Sequence, residues 1–197
     1  MLPRRSLTRM VRSTGRLERV NQRAMQLFFS LLALIALAGT VLLVLNRLTG
    51  RRARALQQLH DGVASIAVPL AALVAVTSMV GSLYFSEVAN LVPCTLCWYQ
   101  RIPMYALAVI LVVAAIRRDR GVRFYAWPLA IIGAVISTYH YLVEWWPELE
   151  SEGVCSMAVS CTIVWFRRLG FVTLPLMALC GFLAVIVLLT CRPEEER

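Results

Sequence analysis

Apolar residues fall in long blocks separated by short polar ones. The blocks are Met25 to Asn46, Val63 to Phe85, Trp98 to Ile116, Phe124 to Trp146 and Gly170 to Thr190. Each is long enough to cross a hydrocarbon layer of about 30 Å as a helix. A segment in lipid has to satisfy its own backbone, so helices are predicted throughout. The expected fold is all-α: an integral membrane four-helix bundle over 63–190 with an additional N-terminal hydrophobic helix, five spans in all. Residues 1–24 form a basic tail that reads as disordered or surface-bound. Residues 25–62 hold the extra transmembrane segment and a linker, and 191–197 form a C-terminal tail. A signal peptide would have a shorter apolar core than 25–46 and a small-residue cleavage site.

Composition agrees. The chain has 197 residues, 59% hydrophobic and only 16% charged, against about 25% charged in a soluble domain. The net charge of +9 does not indicate nucleic acid, because the arginines flank apolar runs without interleaved aromatics. It reads instead as a topology signal. Arg117, Arg118, Arg120 and Arg123 crowd one short loop with only Asp119 against them, so 117–123 belongs on the cytoplasmic side. By parity, the link Ser86 to Pro93 and the loop Pro147 to Leu169 then face outward. The first span has arginines at both ends. Its tail is translocated, or the segment lies in the interface, or translation starts at Met25. The first reading is favoured, which puts the N-terminus outside and makes the linker cytoplasmic.

Six cysteines are present: Cys94, Cys97, Cys155, Cys161, Cys180 and Cys191. Cys94 and Cys97 stand at a predicted helix start, where free N–H groups and the helix dipole favour a thiolate. Low-pKa thiols at such a spot carry out disulfide exchange. A structural disulfide or half a zinc site are the alternatives. Zinc is disfavoured because the five residues between Cys155 and Cys161 are poor ligand spacing, and no metal is expected. Arg101 lies one turn below Cys97 on the same face; otherwise it is an interfacial anchor. His140 and Glu144 share a face of one span, where ionisable groups suggest function; the alternative is a mutually satisfied polar pair. Cys155 and Cys161 close a short outer loop, as a redox pair or a static staple. Cys180 reads as a small buried hydrophobe, Cys191 as a reduced thiol at the cytoplasmic edge and His60 as solvated.

The run Gly81-Ser82-Leu83-Tyr84-Phe85-Ser86-Glu87, followed by Pro93-Cys94, Cys97-Trp98-Tyr99-Gln100-Arg101-Ile102 and Met104-Tyr105, resembles the disulfide bond formation protein B (DsbB) family, most closely its BdbC-type branch. Tyr139-His140-Tyr141 and Gly170-Phe171-Val172-Thr173-Leu174-Pro175 extend the resemblance, which covers about Gly81 to Phe182. It leaves out 1–62. Ser160 stands where relatives often have proline, and Glu144 where many have glutamine.

The resemblance implies a bacterial inner-membrane enzyme with both cysteine pairs extracytoplasmic. Such an enzyme reoxidises a thioredoxin-like (DsbA-like) thiol oxidase and passes the electrons to membrane quinone, ubiquinone or menaquinone. Cys155 is then the cysteine attacked by the partner, Cys161 exchanges with Cys94, and Cys97 donates to the quinone beside Arg101. His140 helps bind or protonate the quinone, and the Glu144 carboxylate can hydrogen-bond or take up a proton. Two rivals are a vitamin K epoxide reductase-like enzyme, which places its loop cysteines before the Cys-X-X-Cys, and a non-enzymatic membrane protein with two structural disulfides. Every chemical group lies after residue 62, so a chain without 1–62 is expected to form a working four-helix bundle.

Overall fold

The computed structural model describes residues 4–48, 61–150, 155 and 159–191. Its helices are α1 (Arg4–Leu48), α2 (Ala67–Leu83), α3 (Thr95–Arg117), α4 (Arg123–Trp145) and α5 (Leu174–Thr190). Four contain stretches long and apolar enough to cross a membrane, including Val20–Leu48 within α1. The last has 17 residues, at the short end of the spanning range. The expected helical bundle, with its extra N-terminal helix, is therefore present. The basic tail is helical and not a disordered segment: the helix starts at Arg4, not near Met25. After Pro3 no proline interrupts the segment, and arginine, leucine and methionine are good helix formers. His60, most of the linker and the tail 192–197 lie outside the described residues.

Helices α2, α3, α4 and α5 pack around a ring, and α1 lies outside it against α5. The core is built from small and branched side chains: Ala67, Ala71 and Ala75 of α2 meet Leu107 and Leu111 of α3 and Val185 of α5. Small residues let helices approach where lipid gives no hydrophobic push. A Cβ on Gly133 of α4 would stand 2.2 Å from the Phe182 ring of α5, so only glycine fits there.

Three contacts fix the direction of α1. Gln26 Oε1 accepts from Arg168 Nε at 3.0 Å, just before α5 begins. Ser30 Oγ meets Met177 Sδ at 3.7 Å. Arg47 Nη1 donates to Thr190 Oγ1 at 2.5 Å, at the last residue of α5. The two helices therefore run parallel, and Gln26 lies at the bundle end that carries the cysteine pairs. Arg47, Arg117 and Arg123 gather at the other end, where Arg123 donates to the Cys191 carbonyl at 3.1 Å. There Asp119 accepts from the Gly121 N–H at 2.7 Å and from the Tyr125 hydroxyl. These bonds, the Tyr125 one foremost, hold its carboxyl below the usual range.

Element ends shift from the expected positions for local reasons. After Leu83, α2 continues as a π-helical turn over Tyr84–Val88. The final helix begins at Leu174 because Arg168 and Val172 form an isolated β-bridge and Gly170 turns at φ +82°. Pro175 then fits the first turn of the helix, where its missing N–H costs nothing.

Candidate functional site

Cys94 is the N-cap of α3, extended at φ −75° and ψ 174°. Its sulfur accepts the Cys97 backbone N–H at 3.3 Å, taking the place an oxygen usually fills at a helix start. The Cys97 sulfur is 2.8 Å from that of Cys94, and both cysteines are free thiols. On the other side, His140 Nε2 of α4 lies 3.6 Å from Cys94 Sγ. Cys94 and His140 are 5% and 2% exposed, so this is a dry, low-dielectric contact.

Gln100, one turn into α3, completes the set. Its Nε2 is 3.0 Å from His140 Nδ1. With the amide N–H donating to Nδ1, the ring proton sits on Nε2 and points at Cys94. The Cys97 thiol, the His140 ring and the Cys97 N–H together hold the Cys94 thiol down at about 4, against burial, which pushes it up.

The second pair is a disulfide: Cys155 and Cys161 are bonded, with Cα atoms 5.9 Å apart. Glu150 braces the end of this loop. Its Oε1 accepts from the Cys161 N–H at 3.3 Å and from Ser160 Oγ at 3.3 Å. Cys161 and Cys94 belong to one small buried cluster with Leu96 and Val143, against which Cys97 and Cys155 pack. The bundle thus brings the two cysteine pairs to one place.

Cys97 also has a second exposure. With Gln100 and Arg101 it lines a cavity of about 410 Å³ between α1, α2, α3 and α5. The walls are mostly apolar, with Ser82 and Tyr105 as further polar groups. Arg101 is fixed there by Ser82, donating from Nε to its hydroxyl at 3.0 Å and from Nη2 to its carbonyl at 3.3 Å. The guanidinium also stands 5.1 Å from the centroid of the Trp98 ring, and Tyr105 donates to the same Ser82 hydroxyl at 3.3 Å.

Of the residues singled out from sequence, Cys94, Cys97 and His140 meet directly, and Cys97 and Arg101 share the cavity. His140 and Glu144 do not line it. Glu144 lies one turn beyond His140, buried, and its Oε2 has no hydrogen-bond partner among the described residues. Gln100 and Ser82 were quoted only as parts of a motif. Their signal was position: Gln100 between a cysteine and an arginine at a helix start, Ser82 in the run before it.

The chain matches the family described as Disulfide bond formation protein DsbB over residues 64–191. It is 44% identical over 124 residues to disulfide bond formation protein C of Bacillus subtilis (strain 168), covering 63% of this chain and 90% of that protein. It is 43% identical over 122 residues to probable disulfide formation protein C 2 of Bacillus anthracis, covering 62% and 86%. With a probable disulfide formation protein of Oceanobacillus iheyensis it shares 45% identity over 112 residues, 56% of this chain and 77% of the relative. No solved structure matches the chain at a significant level.

Proposed function

This chain belongs to the DsbB family of disulfide bond formation proteins, and from that premise we propose that it reoxidises an extracytoplasmic thioredoxin-like thiol oxidase and passes the electrons to membrane quinone. The family makes it a membrane oxidoreductase that generates disulfides. The observation that carries the finer reading is the division of labour between two sulfurs. Cys94 shares a buried cluster with Cys161, and Cys97 opens on an apolar cavity beside Arg101. One faces the incoming disulfide exchange, the other an exit for electrons.

The steps follow from thiolate chemistry. The partner's thiolate attacks Cys155 and releases Cys161 as a thiolate. Cys161 attacks Cys94 of an oxidised Cys94–Cys97 pair, and Cys97 leaves as a thiolate. The partner's second thiol then displaces Cys155, completing the partner's disulfide. Cys155 attacks Cys161, re-forming their disulfide and expelling Cys94. A thiol held at about 4 is a good leaving group. The result is a Cys155–Cys161 disulfide and a Cys94/Cys97 dithiol, the redox state seen here.

Closing the cycle needs an acceptor of two electrons, which a membrane quinone supplies when bound. The cavity fits such a group: its size lies in the usual range for small-molecule sites, with few polar groups on apolar walls. The Arg101 N–H groups not spent on Ser82 and the Ser82 hydroxyl itself offer donors to its oxygens, and Cys97 is the sulfur that lines the cavity. As Cys97 bonds to Cys94, two electrons leave and Cys97 gives up its proton. The second proton comes from solution.

In cells, a Cys161→Ala variant lacks the sulfur that attacks Cys94 and displaces Cys97, and its Cys155 thiolate attacks the oxidised partner's disulfide, forming a mixed disulfide as the partner's other sulfur is released. It is expected to be recovered covalently joined through Cys155 to a thioredoxin-like protein, and the adduct should vanish in the Cys155→Ala, Cys161→Ala double variant. A normally inserted Cys161→Ala protein with no adduct would sink the partner assignment.

A further inference from the structure

The family match begins at residue 64, yet α1 forms one wall of the cavity at Cys97. Phe29, Leu32, Ala33 and Ala36 line it from this helix, opposite Cys97 and Arg101 of α3. We propose that α1 is the specificity wall of the electron-acceptor site, closing the cavity toward lipid and setting which lipid-soluble acceptor fits. This rests on the reading that the cavity holds a quinone.

Three independent features carry it. First, α1 is clamped to the bundle along its length by the contacts of Gln26, Ser30 and Arg47 described above. A helix fixed at both ends of α5 is a wall and not a loose accessory.

Second, α1 approaches α2 closely at Gly81, which lines the cavity. A Cβ on Gly81 would stand 2.8 Å from the Phe29 ring, so the glycine admits the ring. Phe29 then stacks edge-on to Phe85 at 5.6 Å, and Phe85 meets Phe166 of the outer loop at 5.4 Å. These three rings join α1, α2 and the loop on the cysteine side of the cavity.

Third, α1 lines the cavity below Phe29 with two small side chains, Ala33 and Ala36, beside the larger Leu32 and Ile35. Ala33 and Ala36 leave the space that a larger side chain would fill. Volume inside the cavity is thus set partly by residues outside the family-matched region. Removing α1 leaves every thiol in place but opens the acceptor site to lipid.

The test uses the full chain. Ala33→Trp places an indole in the cavity, and Leu31→Trp places the same group on the lipid side of α1, where Leu31 is exposed and does not line the cavity. The readouts are the KM for a soluble short-chain quinone and, separately, the single-turnover oxidation of a reduced thioredoxin-like protein. Ala33→Trp is expected to raise the quinone KM about tenfold or more, the scale on which a pocket rejects excess bulk, with single-turnover oxidation unchanged and Leu31→Trp like wild type. In the wild-type protein, an azidoquinone should photolabel a peptide containing 29–36, a result that needs no variant to fold. Equal KM values for the three proteins, or photolabel absent from α1, would overturn the proposal. A wild-type protein that reduces no quinone would bring down the function proposed above, and this inference with it.

Discussion

Gln100 holds His140 by a 3.0 Å contact between the amide nitrogen and Nδ1, and the opposite ring nitrogen faces Cys94. A glutamine on α3 thereby orients a histidine on α4 toward a sulfur at the start of α3. Gln100→Leu removes the donor and leaves Nδ1 buried without it, a loss of about 1–3 kcal/mol at such a site. The ring is then free to take the other tautomer. Ultraviolet titration of the thiolate in the reduced protein should show Cys94 ionising at higher pH in Gln100→Leu. An unchanged titration would mean that Gln100 only fills space.

The lowered Cys94 thiol predicts a pH dependence of the redox couple. Between about 4 and the ordinary thiol value, the reduced protein binds one proton fewer than an ordinary dithiol. Reduction of the Cys94–Cys97 disulfide then takes up one proton, not two. Its midpoint potential should fall with rising pH by about 30 mV per unit between pH 5 and 8, and an ordinary dithiol would fall by about 59 mV. Redox titration against buffers of known potential, with Cys155 and Cys161 replaced, measures the slope. His140→Ala should steepen it at the acid end, because the histidine no longer favours the thiolate.

Arg101 tests the cavity from the other side. Its guanidinium is always charged and is aimed by Ser82. Hydrogen bonds from charged groups contribute about 1.5–3 kcal/mol, so Arg101→Ala should raise the quinone KM about tenfold to a hundredfold. Arg101→Lys should recover part of this, since an ammonium lacks the planar fork. Thiol exchange at Cys155 should change little. Steady-state kinetics at varied quinone separates this from a membrane anchor, for which lysine would serve as well as arginine and alanine would leave KM alone.

Topology gives a further expectation. The parallel packing of α1 and α5 puts Val20 at the cysteine end of the bundle and Arg117 at the other. If arginine-rich loops stay cytoplasmic, Val20→Cys in a background without other free thiols should react with an impermeant reagent on intact cells, and Arg117→Cys only after lysis. The reverse pattern would place the cysteine pairs in the reducing compartment and remove the basis for their chemistry.

Much of this was legible in the chain. Apolar run length announced the helices, and the spacing of Cys94, Cys97 and Arg101 placed them together at one helix start, where the structure has them. The structure adds that Cys94, with the Cys97 thiol and the His140 ring against its sulfur, is the thiol most directly held down. His140 against Cys94 and Gln100 against His140 are contacts across 46 and 40 positions of chain, which periodicity within one helix does not reveal. The role of α1 was hidden for a related reason. Its apolar run specifies a span but not a neighbour, and neither the packing of Phe29 on Gly81 nor the place of Ala33 and Ala36 on the cavity wall can be read from it.

The central claim is that electrons held by the Cys94/Cys97 dithiol leave through Cys97 to quinone. Purified protein reduced at that pair, freed of reductant and mixed with excess oxidised quinone without any partner, measures it directly by the loss of quinone absorbance. The account predicts one quinol per reduced Cys94/Cys97 pair, appearing in step with the loss of both thiols, unaffected by Cys155→Ala and abolished by Cys97→Ala. A dithiol that stays reduced in the presence of quinone, or equal quinol formation by the Cys97→Ala protein, would contradict it.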